Sequence, residues 1–119
     1  MCKEEKRLVW IGSSKNDLLD MPEDVQRAFG FALHLAQNHD RHESTKILKG
    51  IDSSVVEVIK DLRGNTYRVV YTSKISGTVC VLHCFQKKSK SGISTPRQDI
   101  ELIKSRLKDA MIVARDEKL

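Results

Sequence analysis

Between His83 and Gln98 the chain carries Lys87, Lys88, Lys90 and Arg97 and no acid. Cations gathered this way raise the local concentration of anions and speed their approach. The wider charge distribution follows the same bias. Residues 1–60 hold nine Lys/Arg against ten Asp/Glu, residues 61–119 hold twelve against six, and the formal net charge is +5. A polyanion suits the second half of the chain. A basic surface that only keeps the protein dissolved would have the same composition.

Arg68 sits in a different setting, inside the β-rich run Tyr67–Thr72. Strand alternation puts Tyr67, Val69 and Tyr71 on one face and Arg68 and Val70 on the other. A lone buried arginine is too costly, so Arg68 must pair internally or face a functional concavity. Glu57, in the preceding strand, is within reach across a short turn. Two readings coexist: a structural Arg68–Glu57 pair, and an arginine that grips a phosphate with its two-pronged donor while Glu57 orients it. The next strand ends Cys84-Phe85-Gln86-Lys87-Lys88. The turn at Ser76-Gly77 folds that end back towards the start of the previous strand, so Gln86 and Lys87 fall near Tyr67 and Arg68. An Arg68–Lys87 pair is a sensible phosphate-binding geometry.

His83 alternates with Val81 and Phe85 and is either a packed or paired strand residue or a proton-transfer group. His34, His39 and His42 match no metal-binding spacing. No Gly-rich phosphate loop, HExxH, CxxC or GxSxG is present. The cysteines are Cys2, Cys80 and Cys84, an odd number, with the last two in one apolar run. They read as reduced side chains in or near the core of a cytosolic protein. No metal and no cofactor is expected, and any chemistry leans on Arg, Lys and Tyr.

The elements that must position these groups follow from pattern. A chain of 119 residues fits a single domain, with an ordered core over about 8–115. No run of about 18 apolar residues exists, so no membrane span is expected, and no secretory signal follows the charged start. Leu8–Ile11 is a short strand ended by Gly12. Ser13 and Ser14 begin a brief helix, with Asp17 as capping-box partner. Pro22, Glu23 and Asp24 open a longer helix whose stripe is Val25, Phe29, Leu33 and Ala36. The polar stretch 38–50 reads as a connection. Val55–Ile59, Tyr67–Thr72 and Val79–Phe85 form an antiparallel meander whose outer strands are covered by helices. Thr95 as N-cap and Pro96 in the first turn start a last helix with Ile100, Ile103, Leu107, Ala110 and Ala114 on one face. The order is β-α-α-β-β-β-α. The fold class is α+β: a small, antiparallel-rich sheet with two N-terminal helices and a C-terminal helix.

These residues carry a resemblance. Trp10-x-Gly12-Ser13-Ser14-Lys15-x-Asp17-Leu18, Leu48-Lys49-Gly50, Tyr67-Arg68-Val69-Val70-Tyr71, the run Val81 to Ile93, and Thr95-Pro96 leading into Asp99–Ile103 are similar to the phage-related, HigB-like branch of the RelE/ParE toxin superfamily. The resemblance runs from about Leu8 to Ala114. It implies a RelE/ParE-like fold and the toxin of a type II toxin–antitoxin pair. Such a toxin is a cytoplasmic endoribonuclease that cuts mRNA on the ribosome without a metal, and a helix-turn-helix antitoxin holds it inactive. Arg68, Lys87 and Lys88 then take the catalytic positions, with Lys49, Lys90 and Arg97 binding RNA and Glu57 and His83 in support. The chain departs from the family's ribonucleases in having no aromatic residue after Phe85. Two rival readings are a ParE-like topoisomerase poison and a catalytically silent protein that keeps only the antitoxin-binding surface.

Overall fold

A computed structural model describes residues 4–52, 54–75, 77–87 and 95–117, with side chains of the last segment through Val113. The elements are β1 (Arg7–Trp10), α1 (Ser14–Leu19), α2 (Glu23–Gln37), β2 (Thr45–Ile47), β3 (Val55–Leu62), β4 (Asn65–Ile75), β5 (Thr78–Lys87) and α3 (Arg97–Glu117). They build a five-stranded sheet in the order β1-β5-β4-β3-β2, with β1 parallel to β5 and the other pairs antiparallel. This is the expected α+β class, in a RelE/ParE-like arrangement of a mixed sheet flanked by helices.

The β3–β4–β5 meander forms as its alternation predicts. The β3–β4 turn places Arg63 at φ 51° and Gly64 at φ 83°. Two consecutive positive φ values match the right-handed twist of the flanking strands, and glycine takes the second at no steric cost.

Three expectations need correction. The stretch 38–50 contains a strand, β2, which pairs Thr45–Ile47 with Val56–Val58. Its edges, too, are closed differently from the expectation: β1 and β2 flank the meander, while the helices cover its faces. Finally, Ser13 makes no capping bond to the backbone of α1; its Oγ donates to Asp17 Oδ2 at 2.8 Å.

Each face of the sheet buries a separate core. The α2 stripe of Val25, Phe29, Leu33 and Ala36 packs on Val56, Val58, Val69, Tyr71, Val79 and Val81. On the other side Ile103, Leu107 and Ala110 of α3 pack on Val55, Val70, Cys80, Leu82 and Phe85. Burying a side chain such as Phe29 or Leu33 contributes roughly 1.5–3 kcal/mol. Among the described residues no helix is long and apolar enough to cross a membrane.

Candidate functional site: a buried cation cluster at one end of the sheet

Glu57 pairs across the ladder with Val70, Arg68 with Phe85, and Thr66 with Lys87. Directly opposed residues share a face, and Val70 and Phe85 belong to the α3-side core. Glu57, Arg68 and Lys87 therefore share the α3 side of the sheet.

Arg68 is 3 % exposed, Glu57 6 % and Lys87 7 %. One guanidinium nitrogen, Nη1, lies 3.0 Å from Glu57 Oε2 and 3.2 Å from Oε1. The same nitrogen donates to Thr95 Oγ1 at 3.2 Å, and the Thr95 hydroxyl donates to Glu57 Oε2 at 3.4 Å. Thr95, expected as the N-cap of α3, thus spends its side chain on the ion pair. Burial pushes the Lys87 ammonium below its ordinary value, Arg68 pushes it further, and Glu57 opposes both. Among the described residues, two cations against one carboxylate leave a net positive charge in a poorly solvated place. An anion that entered would meet donors whose attraction water screens little.

His83 lies on the same side. Its ring stacks on Phe85 with centroids 4.5 Å apart and planes 15° apart. Nε2 is 2.7 Å from Asp99 Oδ1 in the first turn of α3. Burial is the main force lowering its pKa, and Arg106 adds to it, while Asp99 and Asp17 oppose. The ring is therefore neutral at pH 7 and donates its Nε2–H to Asp99. Nδ1 is buried with no hydrogen-bond partner among the described residues. The expectation that His83 shares a face with both Val81 and Phe85 holds only for Phe85. Tyr71 pairs with Val81 while Val70 pairs with His83, so Leu82 is an extra residue and the parity of β5 inverts there.

The other expected site residues are placed differently. Lys49 is exposed in the β2–β3 connection, beside the Val55 end of β3, whereas Lys87 lies at the opposite end of the ladder. Arg97 is exposed at the first position of α3. Lys88 and Lys90 lie outside the described residues. The sequence reading missed Thr95, Asp99 and Arg106 as members of this region. Asp99 and Arg106 share helical spacing with Ile103 and Ala110, and charges set on an apolar stripe were the signal that could have found them.

Beside the same strand ends, an open groove of about 720 Å³ is lined by Asp17, Asp20, Met21, Pro22, Tyr67, His83, Cys84, Phe85 and Gln86. Its charged side chains are acidic, and neither Arg68 nor Lys87 lines it. Burial there pushes the Cys84 thiol up to about 12, which keeps it protonated and unreactive. Among the described residues no three His, Cys, Asp or Glu side chains gather as metal ligands.

Comparison with curated proteins found no match. A family model, described as phage-derived protein Gp49-like (DUF891), matches residues 16–108, which include Glu57, Arg68, Lys87, Thr95, Asp99 and Arg106. With that match over most of its length, the chain belongs to the phage-derived Gp49-like family.

Proposed function

We propose that this protein is the toxin of a type II toxin–antitoxin pair, of the HigB-like branch, and that it cleaves mRNA in the cytoplasm, on the ribosome. The observation that carries the reading is the convergence of Arg68 and Lys87 on one face of the sheet, with Glu57 holding the guanidinium. In the reaction the RNA 2′-OH passes its proton to solvent water as its oxygen attacks the adjacent phosphorus. The bond to the 5′-oxygen breaks, that oxygen takes a proton, and the products are a 2′,3′-cyclic phosphate and a 5′-OH. Negative charge grows on the phosphoryl oxygens, and fixed donors aimed there speed the step. Arg68 and Lys87 are those donors, and their positive charges offset the growing negative charge. Lysine at its ordinary pKa is a weak acid, and the lowered value of Lys87 makes it a better proton donor to the leaving oxygen. Lys88, next in sequence, and Lys49, Lys90 and Arg97 would hold the flanking backbone.

Arg68 is buried, so a phosphate oxygen reaches Nη1 by replacing the Thr95 hydroxyl as acceptor. The exchange swaps a neutral acceptor for a charged one, which makes a hydrogen bond roughly twice as strong. The same burial favours a second reading, a catalytically silent protein that keeps only its surface for a helix-turn-helix antitoxin. Induction without antitoxin separates the two. The ribonuclease reading expects growth arrest and loss of intact mRNA in the wild type, and neither in Arg68→Ala that still binds antitoxin. Arrest with intact mRNA and lost supercoiling would point to a topoisomerase poison, and no arrest at all to the silent protein.

A further inference from the structure

We propose that Arg106 is a positioning residue: by holding the bulge of β5 it sets the register that brings Lys87 onto the same face of the sheet as Arg68. The inference rests on reading that pair as the phosphate site, but its geometry is independent of any reaction.

Val79 and Val81 belong to the α2-side core, Cys80 and Leu82 to the α3-side core. Strict alternation would carry His83, Phe85 and Lys87 on to the α2 side, across the sheet from Arg68. The extra residue at Leu82 inverts this. Beyond it Cys84 lies in the α2-side core and Phe85 in the α3-side core, and Lys87 pairs with Thr66, two residues from Arg68 on the same face. A one-residue slip transfers every following side chain to the other face. The bulge is therefore what makes Arg68 and Lys87 neighbours.

A bulge also withdraws backbone groups from the ladder, and those groups need other partners. The Val81 carbonyl faces β1: it accepts from the Ile11 N–H at 3.0 Å, which continues the parallel ladder, and also from Ser14 Oγ at 3.2 Å. The Leu82 carbonyl accepts from Arg106 Nη1 at 3.0 Å. Arg106 Nη2 in turn donates to Ser13 Oγ at 3.1 Å, and Ser13 donates to Asp17. Gly12 makes room for this guanidinium. Its φ is +58°, and a Cβ there would stand 2.7 Å from Arg106 Nε and 2.9 Å from Cζ. Glycine is thus required twice, for the left-handed backbone and for the close approach. The run Gly12-Ser13-Ser14 with Asp17, singled out in the sequence and unused by the proposed chemistry, is a socket for Arg106 and the bulge. Two turns earlier on α3, Asp99 holds His83, the residue after Leu82. Both bulge residues are fastened from the same helix.

The competing role for Arg106 is a tether that only keeps α3 on the core. The readout that separates them is the titration of Lys87 in the full chain, followed by NMR on labelled lysine side chains and assigned with Lys87→Arg. In the wild type Lys87 titrates below its ordinary value of 10.5. Arg106→Met is expected to move it back towards that value and to open the Leu82 and His83 amides to hydrogen exchange. Gly12→Ala is expected to do the same with Arg106 intact, and Ser13→Ala, the mildest change, to do so in part. Ile103→Val, which loosens α3 without touching the socket, is expected to leave Lys87 where it was. An unmoved Lys87 in folded Arg106→Met, or in Ser13→Ala should the stronger variants not fold, overturns the proposal; so does an equal shift in Ile103→Val. The two readings fail separately. RNA cleavage that survives Arg68→Ala removes the ribonuclease reading and leaves the Lys87 titration informative. An unmoved titration removes the role of Arg106 and leaves cleavage untouched.

Discussion

On the α2 side of the sheet, Val25, Phe29, Leu33 and Ala36 belong to one core with five strand valines, Tyr67, Tyr71 and Cys84. On the α3 side the same strands are apolar only part of the way, and Glu57, Arg68, His83 and Lys87 then take buried positions. The first face is held by non-directional burial, which depends on area and fit. The second is held by hydrogen bonds whose partners cannot be changed singly, because a charge stripped of its partner stays buried and uncompensated. A face arranged that way gives up some robustness to keep cations where water screens them little. The difference identifies the α3 side as the place to look for chemistry.

The contrast is broken most forcefully at Arg68. Arg68→Ala should cost roughly 3–5 kcal/mol of stability, since Glu57 is left buried and unpaired. Cleavage per folded molecule should fall about 10²–10³-fold, the usual cost of one transition-state donor. Phe29→Ala should lose a similar roughly 3–5 kcal/mol by opening a cavity, with cleavage per folded molecule unchanged. Urea denaturation beside a cleavage assay on the folded fraction separates the two effects. Removing both charges sharpens the point. Arg68→Met with Glu57→Leu should recover most of the stability lost by Arg68→Ala, because apolar replacement of a buried pair is often neutral or better, yet cleavage should stay as low as in Arg68→Ala.

His83 makes the α3 side sensitive to mildly acidic pH. Its folded pKa lies below the ordinary 6.5, chiefly through burial. Below about 6.5 the unfolded chain binds a proton that the folded ring refuses, so stability is complete above that pH and declines as pH falls through the window. His83→Gln should flatten that part of the curve, measured as denaturation midpoints between about pH 7 and 5. A slope that persists in the variant would assign it to other groups. A smaller effect is expected at Thr95. Thr95→Val removes the hydroxyl shared by Arg68 and Glu57 and should cost about 1–3 kcal/mol, while Thr95→Ser should be close to neutral. Least of all, the exposed Arg97→Ala should leave stability unchanged and reduce the salt dependence of RNA binding by about one counterion.

Much of this fold is legible in the sequence because local pattern and final environment agree. The α2 stripe repeats at helical spacing, Arg63-Gly64 marks a tight hairpin, and strand pattern puts Glu57 within reach of Arg68. What escaped the reading depends on residues far apart in the chain. β2 is three residues in a polar stretch and is a strand only because Val56–Val58 pair with it. The bulge at Leu82 carries no glycine or proline to mark it. It is held by Arg106, 24 residues later, in a socket made by Gly12 and Ser13. Thr95 looked like a helix cap because its local sequence is that of a cap, and the tertiary partners Glu57 and Arg68 redirected its hydroxyl. The cations of the site, and the nearness of Lys87 to Arg68, were thus readable. The parity that joins Arg68 to Lys87 was not.

The most direct test is the chemistry of the RNA ends left after a brief induction of the chain alone. New mRNA fragments bearing 5′-OH and 2′,3′-cyclic phosphate ends are expected in the wild type, strongly reduced in Arg68→Ala and in Lys87→Ala at equal levels of folded protein. Fragments that persist unchanged in both variants, or a toxic wild type that leaves mRNA ends unaltered, would contradict the ribonuclease reading.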